Sequence, residues 1–332
     1  MARGRNAPMA PKLVVATQPS DPLDLVHDLS PAGLDVTVAQ FGSPEYRAAL
    51  READYVIGFA DPGMNDAFFK TAPNLKLIQL MSAGYDRCDV EAARRAGVPI
   101  SNNGGANAIA VAEHAMLLMM AVSRRIIWQH NNVAAGRWRG NDPFSAGLLE
   151  LHGKTLGIIG LGTIGKKVAR FAKAFNMHVF YYDTVRLTED QEDALGVRFR
   201  LMHEVIRMAD VLSLHVPLIP STKHMIGSQE LALMKPTAIL VNTCRGPVVD
   251  ETALIATLSA GKIAGAGLDV FDQEPPPIDN PLFALQNVVL TAHLAGPTAD
   301  NQHTRFRNAF DNVQRVARGE KPLWVIPELR GL

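Results

Sequence analysis

Three residues in the second half of the 332-residue chain could act together on a small organic anion: Arg245, Glu274 and His293. Arg245 lies in Val241-Asn242-Thr243-Cys244-Arg245-Gly246, just past an apolar run of strand length. Its planar guanidinium matches a carboxylate with two parallel hydrogen bonds. His293 follows Val288-Val289-Leu290-Thr291-Ala292, and imidazole is the side chain best suited to exchange a proton near neutral pH. Glu274, in Phe271-Asp272-Gln273-Glu274-Pro275, could orient that imidazole and favour its protonated form. Taken singly, each has an ordinary role: a surface ion-pair partner, a loop acid, one of ten histidines.

A second motif supplies what the first lacks. Gly160-Leu161-Gly162-Thr163-Ile164-Gly165 follows the apolar run Leu156-Gly157-Ile158-Ile159 and opens a helical pattern that runs through Phe175. A second β-like run, Val179-Phe180-Tyr181-Tyr182, ends at Asp183. In such a βαβ unit the first glycine permits the tight turn, the second lets the backbone approach a pyrophosphate, and the third lets helix and strand pack closely. The helix N-terminus then offers unpaired N–H groups to the phosphates. Asp183 stands where a carboxylate accepts hydrogen bonds from the adenosine ribose, so NAD is expected in preference to NADP. Arg186 follows closely and could soften that preference.

The elements that must position these residues read as α/β. Candidate strands are Lys12–Ala16, Val36–Ala39, Tyr55–Phe59, Lys76–Leu80 and Val98–Ser101, with helices around Pro44–Glu52, Asp66–Thr71 and Val90–Ala96. Such alternation predicts a parallel sheet covered on both faces. A densely apolar helix is expected from Ala108 to about Arg125, buried against other parts of the fold or a second subunit. Beyond the βαβ unit, strands are expected at Val211–His215, Ala238–Asn242, Ala266–Val270 and Val288–Thr291. The last helix, about Ala299 to Arg318, is expected to return to the first lobe. The division is then discontinuous: residues 11–107 and 297–332 in one domain, 108–296 in the other, with residues 1–10 a disordered tail. In open parallel sheets ligands bind beyond the carboxyl ends of strands. Gly160, Asp183, His215, Arg245, Asp269 and His293 all fall at or just past such ends.

Composition sets the surroundings. Hydrophobic residues make up 47% of the chain, enough for two cores, and the formal net charge is zero, so neither nucleic acid nor an acidic membrane surface is an expected partner. The apolar stretch Ala115–Val122 is too short to span a bilayer. Cys88 and Cys244 fit no metal spacing, and a reducing cytoplasm is the simplest setting.

Taken together, these segments resemble the D-isomer-specific 2-hydroxyacid dehydrogenases over essentially the whole chain. The matching segments are Gly160–Gly165 with Asp183, His215-Val216-Pro217 followed by Thr222, Met234-Lys235-Pro236, Asn242–Gly246 with Val249-Asp250, Gly267–Phe271 with Glu274-Pro275, and His293. The resemblance implies a two-lobed α/β fold: a Rossmann-type NAD-binding domain that includes the linking helix and a dimerisation arm, plus a flavodoxin-like substrate domain. It implies that Arg245 binds and polarises a 2-keto acid, that His293 exchanges the proton and that Glu274 supports His293. It implies further that the amides of Ala83 and Gly84, in Met81-Ser82-Ala83-Gly84, bind the substrate carboxylate, with Asn107 near substrate and nicotinamide. Thr163 and Ile164 would face the pyrophosphate, and His215, Pro217, Thr222, Thr243 and Asp269 would line the cofactor cleft. The segment around Ala115–Val122 with Gln129–Arg139 matches the family's dimerisation arm, so a homodimer is expected, with Trp138 near the partner's site.

The chain departs from the family at Ala292, where many relatives have proline, and in the segment His293–Thr298. Formate dehydrogenases of the superfamily carry glutamine where Glu274 stands, which disfavours formate. The expected activity is NAD-dependent interconversion of a 2-keto acid and a D-2-hydroxy acid, with no metal required. Two alternatives share the fold: an NAD(H)-sensing, corepressor-like interaction protein, and a dehydrogenase of a non-carboxylate substrate such as phosphite.

Overall fold

A computed structural model of the protein describes residues 10–141 and 147–332. The expected tail, Ala10 apart, lies outside the described residues. The chain separates into two compact units. One contains the described residues up to Asn107 together with Ala299–Leu332, and the other runs from Ala108 to Thr298.

In chain order the first unit contributes β1 (Lys12–Thr17), α1 (Leu23–Leu29), β2 (Asp35–Gln40), α2 (Pro44–Leu50), β3 (Tyr55–Gly58), α3 (Asp66–Thr71), β4 (Leu77–Leu80), α4 (Val90–Ala96) and β5 (Ile100–Ser101). The second contributes α5 (Ala108–Ser123), α6 (Ile126–Ala134), β6 (Thr155–Ile159), α7 (Thr163–Ala174), β7 (His178–Tyr182), α8 (Glu189–Leu195), β8 (Val197–Phe199), α9 (Met202–Met208), β9 (Val211–Leu214), α10 (Ser228–Leu233), β10 (Ile239–Asn242), α11 (Glu251–Ser259), β11 (Gly265–Leu268) and β12 (Val288–Leu290). The last helix, α12 (Ala299–Ala317), belongs to the first unit.

The first sheet is parallel with the order β2-β1-β3-β4-β5, the flavodoxin-type order. Alternation along β1 divides its core. Val14 and Ala16 pack with Tyr46, Leu50 and Phe69 on one face. Leu13 and Val15 pack with Phe306 and Phe310 of α12 on the other. Helix ends follow local chemistry: Ser43 accepts the Tyr46 amide ahead of α2, Asn65 caps α3, Asp89 caps α4, and Gly97 ends α4. Helix α1 is not announced by the sequence: it starts after Pro22 without a side-chain cap and is only seven residues long.

The second sheet has seven parallel strands in the order β12-β11-β10-β9-β6-β7-β8. Counted from β6, this is the doubly wound Rossmann order with one strand added, and the order reverses between β6 and β9. The third strand, β8, was also missed from sequence, because it is three residues long with Arg198 at its centre. Helix α5 buries Ala112, Ala115, Leu118, Met119 and Val122 in the core that also holds strands β6 and β10. It leaves Ile109, Leu117 and Met120 exposed, so its apolar surface is only partly buried.

Candidate active site

The glycine loop is built by contacts that only hydrogen can make. Gly160 has φ +95°, and a Cβ there would lie 2.6 Å from the His215 carbonyl oxygen. The ends of β6 and β9, on either side of the reversal point, therefore touch through backbone alone. A Cβ on Gly165 would lie 2.3 Å from the Gly160 oxygen, so α7 could not pack as close as it does. Gly162 differs: a Cβ there meets nothing within 4 Å, and no side chain caps the helix that begins at Thr163. Open space before an uncapped helix N-terminus suits a pyrophosphate. Thr243 adds a buried hydroxyl with no hydrogen-bond partner among the described residues. These features fit a dinucleotide, with Thr163 and Ile164 in the first turn.

Asp183 closes the loop from the side. Its Oδ2 accepts the Leu161 amide at 2.7 Å and its Oδ1 accepts the Val185 amide at 3.1 Å. Oδ1 also accepts the Thr184 hydroxyl at 3.4 Å, and Oδ2 can accept a second hydrogen bond, which leaves capacity for a ribose hydroxyl. Arg186 is turned to another partner. Its Nε donates to Glu192 Oε1 at 3.0 Å and its guanidinium lies 5.3 Å from the Phe199 ring centroid. Glu192 is buried and also accepts the Tyr181 hydroxyl. The arginine that could have softened the cofactor preference is held by this acid.

The loops after β10, β11 and β12 bring the three chemical residues together. Asn242, at the end of β10, accepts the Cys244 amide at 3.0 Å and donates to the Arg245 carbonyl at 2.9 Å, which fixes the turn that carries Arg245. A Cβ on Gly246 would sit 1.8 Å from the Phe271 carbonyl oxygen, so this turn lies directly on the segment leading to Glu274. Glu274 Oε1 accepts the Phe271 amide at 3.1 Å, and Oε2 meets His293 Nδ1 at 2.7 Å. Burial pushes the Glu274 carboxyl upward, but the hydrogen bonds from His293 and Phe271 and the charges of His293 and Arg245 outweigh it and hold it below the ordinary range. The Arg245 charge is thus felt at the Glu274–His293 pair.

His293 stands at φ +54°, the left-handed region that side chains other than glycine seldom occupy. Asp269 holds it there. The Asp269 carbonyl accepts the His293 amide at 2.7 Å. Its buried carboxylate collects the Thr291 hydroxyl at 2.6 Å and the amides of Leu294 and Ala295 at 3.0 Å each. His114, from α5, donates to Thr291 Oγ1 at 2.9 Å. The hydrogen bonds of Asp269 go to the His293 loop, which it braces. His114, Thr291 and Asn242 are supporting residues that sequence reasoning missed. A polar residue ending a buried strand was the one signal available, at Asn242.

Other expected residues serve as frame. His215 Nε2 bonds Ser213 Oγ at 2.9 Å, and burial pushes its imidazole down to about 4, so it is neutral at physiological pH. The Thr222 hydroxyl donates to the Pro217 carbonyl at 2.6 Å and accepts the Ile219 amide at 2.9 Å, closing the turn after β9. Ala83, Gly84 and Asn107 belong to the first unit, where the Asn107 side-chain oxygen is buried without a partner among the described residues. Among the described residues, no group of three or more His, Cys, Asp or Glu is placed to hold a metal ion, and no helix is long and apolar enough to cross a membrane.

A Rossmann sheet with a pyrophosphate-shaped glycine loop and an imidazole–carboxylate pair at its carboxyl edge defines a dinucleotide-dependent oxidoreductase. Residues 116–295 match the model of the D-isomer specific 2-hydroxyacid dehydrogenase, NAD binding domain. The chain is 38% identical over 301 residues to a glyoxylate reductase of Korarchaeum cryptofilum, covering 90% of this chain and 88% of that one. It is 39% identical to a glyoxylate/hydroxypyruvate reductase B of Yersinia pestis over 83% of this chain and 84% of that one. The holo form of Rhodotorula graminis D-mandelate dehydrogenase superposes with a TM-score of 0.86 at 29% identity, over 96% of this chain and 97% of that one. The protein belongs to the D-isomer-specific 2-hydroxyacid dehydrogenase family and is an enzyme of that class, with a nicotinamide dinucleotide as cofactor.

Proposed function

We propose that the protein reduces a small 2-keto acid to the D-2-hydroxy acid with NADH, using His293 as acid, Glu274 as its support and Arg245 as the substrate's cation. One observation carries this reading: Glu274 occupies His293 Nδ1 at 2.7 Å, which leaves Nε2 as the nitrogen for the substrate. The bound cofactor supplies the hydride for the keto carbon. The remaining work falls to the chain. Arg245 holds the substrate and stabilises negative charge as it grows on the keto oxygen. Protonated His293 gives its Nε2 proton to that oxygen, and Glu274 stabilises the imidazolium beforehand and keeps the ring in place. The substrate carboxylate is assigned to the amides of Ala83 and Gly84, with Asn107 beside it. Glyoxylate and hydroxypyruvate, named for the relatives, are the first candidates.

NADH is the proposed cofactor in preference to NADPH, because Asp183 would face a 2′-phosphate while Arg186 is held by Glu192. A homodimer is proposed on the exposed apolar residues of α5 and α6, Ile109, Leu117, Met120, Ile126, Ile127 and Val133, together with Trp138 at 77% exposure. Light scattering that returns a monomer would remove that part.

The decisive assay follows oxidation of NADH and of NADPH against glyoxylate, hydroxypyruvate and phenylglyoxylate. Turnover with NADH at a kcat/KM at least about tenfold above that with NADPH is expected. Tight NADH binding without turnover of any keto acid would instead mark a dinucleotide-sensing interaction protein.

A further inference from the structure

The loop that follows β4, Met81-Ser82-Ala83-Gly84, has all four of its carbonyls engaged. The Met81 oxygen accepts Nε and Nη2 of Arg305 at 3.2 and 3.1 Å. The Ser82 oxygen accepts the Asn103 amide at 3.1 Å. The Ala83 oxygen accepts Asn102 Nδ2 at 3.2 Å, and the Gly84 oxygen accepts the Ser82 hydroxyl at 2.8 Å. The amides of Ser82, Ala83 and Gly84, by contrast, donate to no acceptor among the described residues. Successive free amides with their carbonyls tied back form an anion-binding concavity.

Arg305 is the one charged residue among these braces. It lies on α12 and also donates through Nη1 to Gln302 Oε1 at 3.1 Å. Its own carbonyl accepts Asn103 Nδ2 at 3.1 Å, which links it to a second support of the same loop. No carboxylate among the described residues lies within ion-pair reach of it. Asp21, the acid whose charge acts on Arg305, has its Oδ2 on the Gln18 amide at 2.7 Å. A partly buried guanidinium without a counter-ion is costly, and an anion bound next to it offsets that cost.

We propose that Arg305 is a positioning residue for the substrate carboxylate. Its two hydrogen bonds hold the Met81 carbonyl inward, so that the following three amides face the anion, and its charge strengthens their hold. This rests on the assignment of the carboxylate to the Ala83–Gly84 loop and extends it to a residue far away in sequence. The role is one of binding, so it weighs on KM and anion affinity, while proton transfer remains with His293.

The test uses oxalate, which resembles the keto acid but cannot be reduced, titrated by calorimetry into the NADH-saturated enzyme. Glyoxylate kinetics, NADH affinity and melting temperature are measured beside it. Arg305→Met is expected to weaken oxalate and to raise KM for glyoxylate by about tenfold each, with kcat within about threefold and NADH affinity within about twofold. Arg305→Lys keeps the charge but loses the two-pronged grip on one carbonyl, and is expected to weaken oxalate by about threefold. A folded Arg305→Met protein with wild-type oxalate affinity and KM would overturn the proposal. Where that variant does not fold, Arg305→Lys decides alone, and unchanged oxalate affinity overturns the positioning role. Wild-type enzyme that binds oxalate, with an affinity lowered in the Arg305 variants, but reduces no keto acid would sink the proposed function and leave the anion site standing. Wild-type enzyme that binds no oxalate would overturn the anion site itself.

Discussion

The carboxyl edges of the two parallel sheets are armed in opposite ways. The loops after β10, β11 and β12 present side chains, and the backbone beneath them is immobilised by a buried carboxylate, Asp269, and by direct contact at Gly246. The loop after β4 presents backbone amides, and side chains from elsewhere, Asn102 and Arg305, hold its carbonyls away. A side-chain site is lost by deleting one group. A backbone site cannot be deleted and has to be undermined through its supports, so its damage is graded.

The largest expected effect tests the side-chain loop. His293→Ala removes the proposed proton donor and should lower kcat by about 10³-fold, with NADH affinity within about twofold of wild type. Turnover near the wild-type rate would refute the assignment. Gly246→Ala comes next, because its Cβ has no room against the Phe271 carbonyl. Separating the Arg245 and Glu274 loops should cost about 1–3 kcal/mol in urea unfolding and about 10²-fold in kcat. A stable variant with full activity would mean that the two loops need not touch.

Asn102→Ala tests the backbone loop and should do less. Losing the support of the Ala83 carbonyl at 3.2 Å is expected to raise KM for glyoxylate about fivefold while kcat moves less than twofold. A drop in kcat with KM unchanged would erase the distinction between the two loops. The smallest effect concerns acid. The Glu274 carboxyl is held below its ordinary 4.5 in the folded state. Its contribution to stability is therefore complete above that value and disappears as pH falls through the lower folded one. Thermal melts of wild type and Glu274→Gln between pH 7 and pH 3 should show a modest wild-type advantage that vanishes at the acid end. An advantage that persists there would mean the Glu274–His293 hydrogen bond contributes nothing through charge.

How much of this was legible beforehand depends on how far apart the interacting residues are. The β6-α7-β7 unit was readable because three glycines, an amphipathic helix and a strand-ending acid all fall within one short stretch. Arg245 and His293 stood out because each ends a predicted strand, and Glu274 joined them as a proposed group through the family resemblance. The supports were not readable. Asp269 reaches residues 291–295 with its carboxylate, His114 reaches Thr291 across the unit, and Arg305 reaches Met81 from the last helix. Nothing in the local spacing of any of these residues records such a partner. Arg186 illustrates the same limit: next to Asp183 in sequence, it is claimed by a buried glutamate on the following helix.

The sequence by itself determined the class of ligand and the chemistry, because glycine spacing, strand periodicity and side-chain type are local properties. Only the tertiary structure decided that His293 adopts a left-handed backbone, that Arg186 is turned to Glu192, and that a guanidinium supports the loop of free amides. These are set by hydrogen bonds between residues distant along the chain, and such partners meet only once the sheets have formed and the unpaired donors and acceptors at their edges must be satisfied.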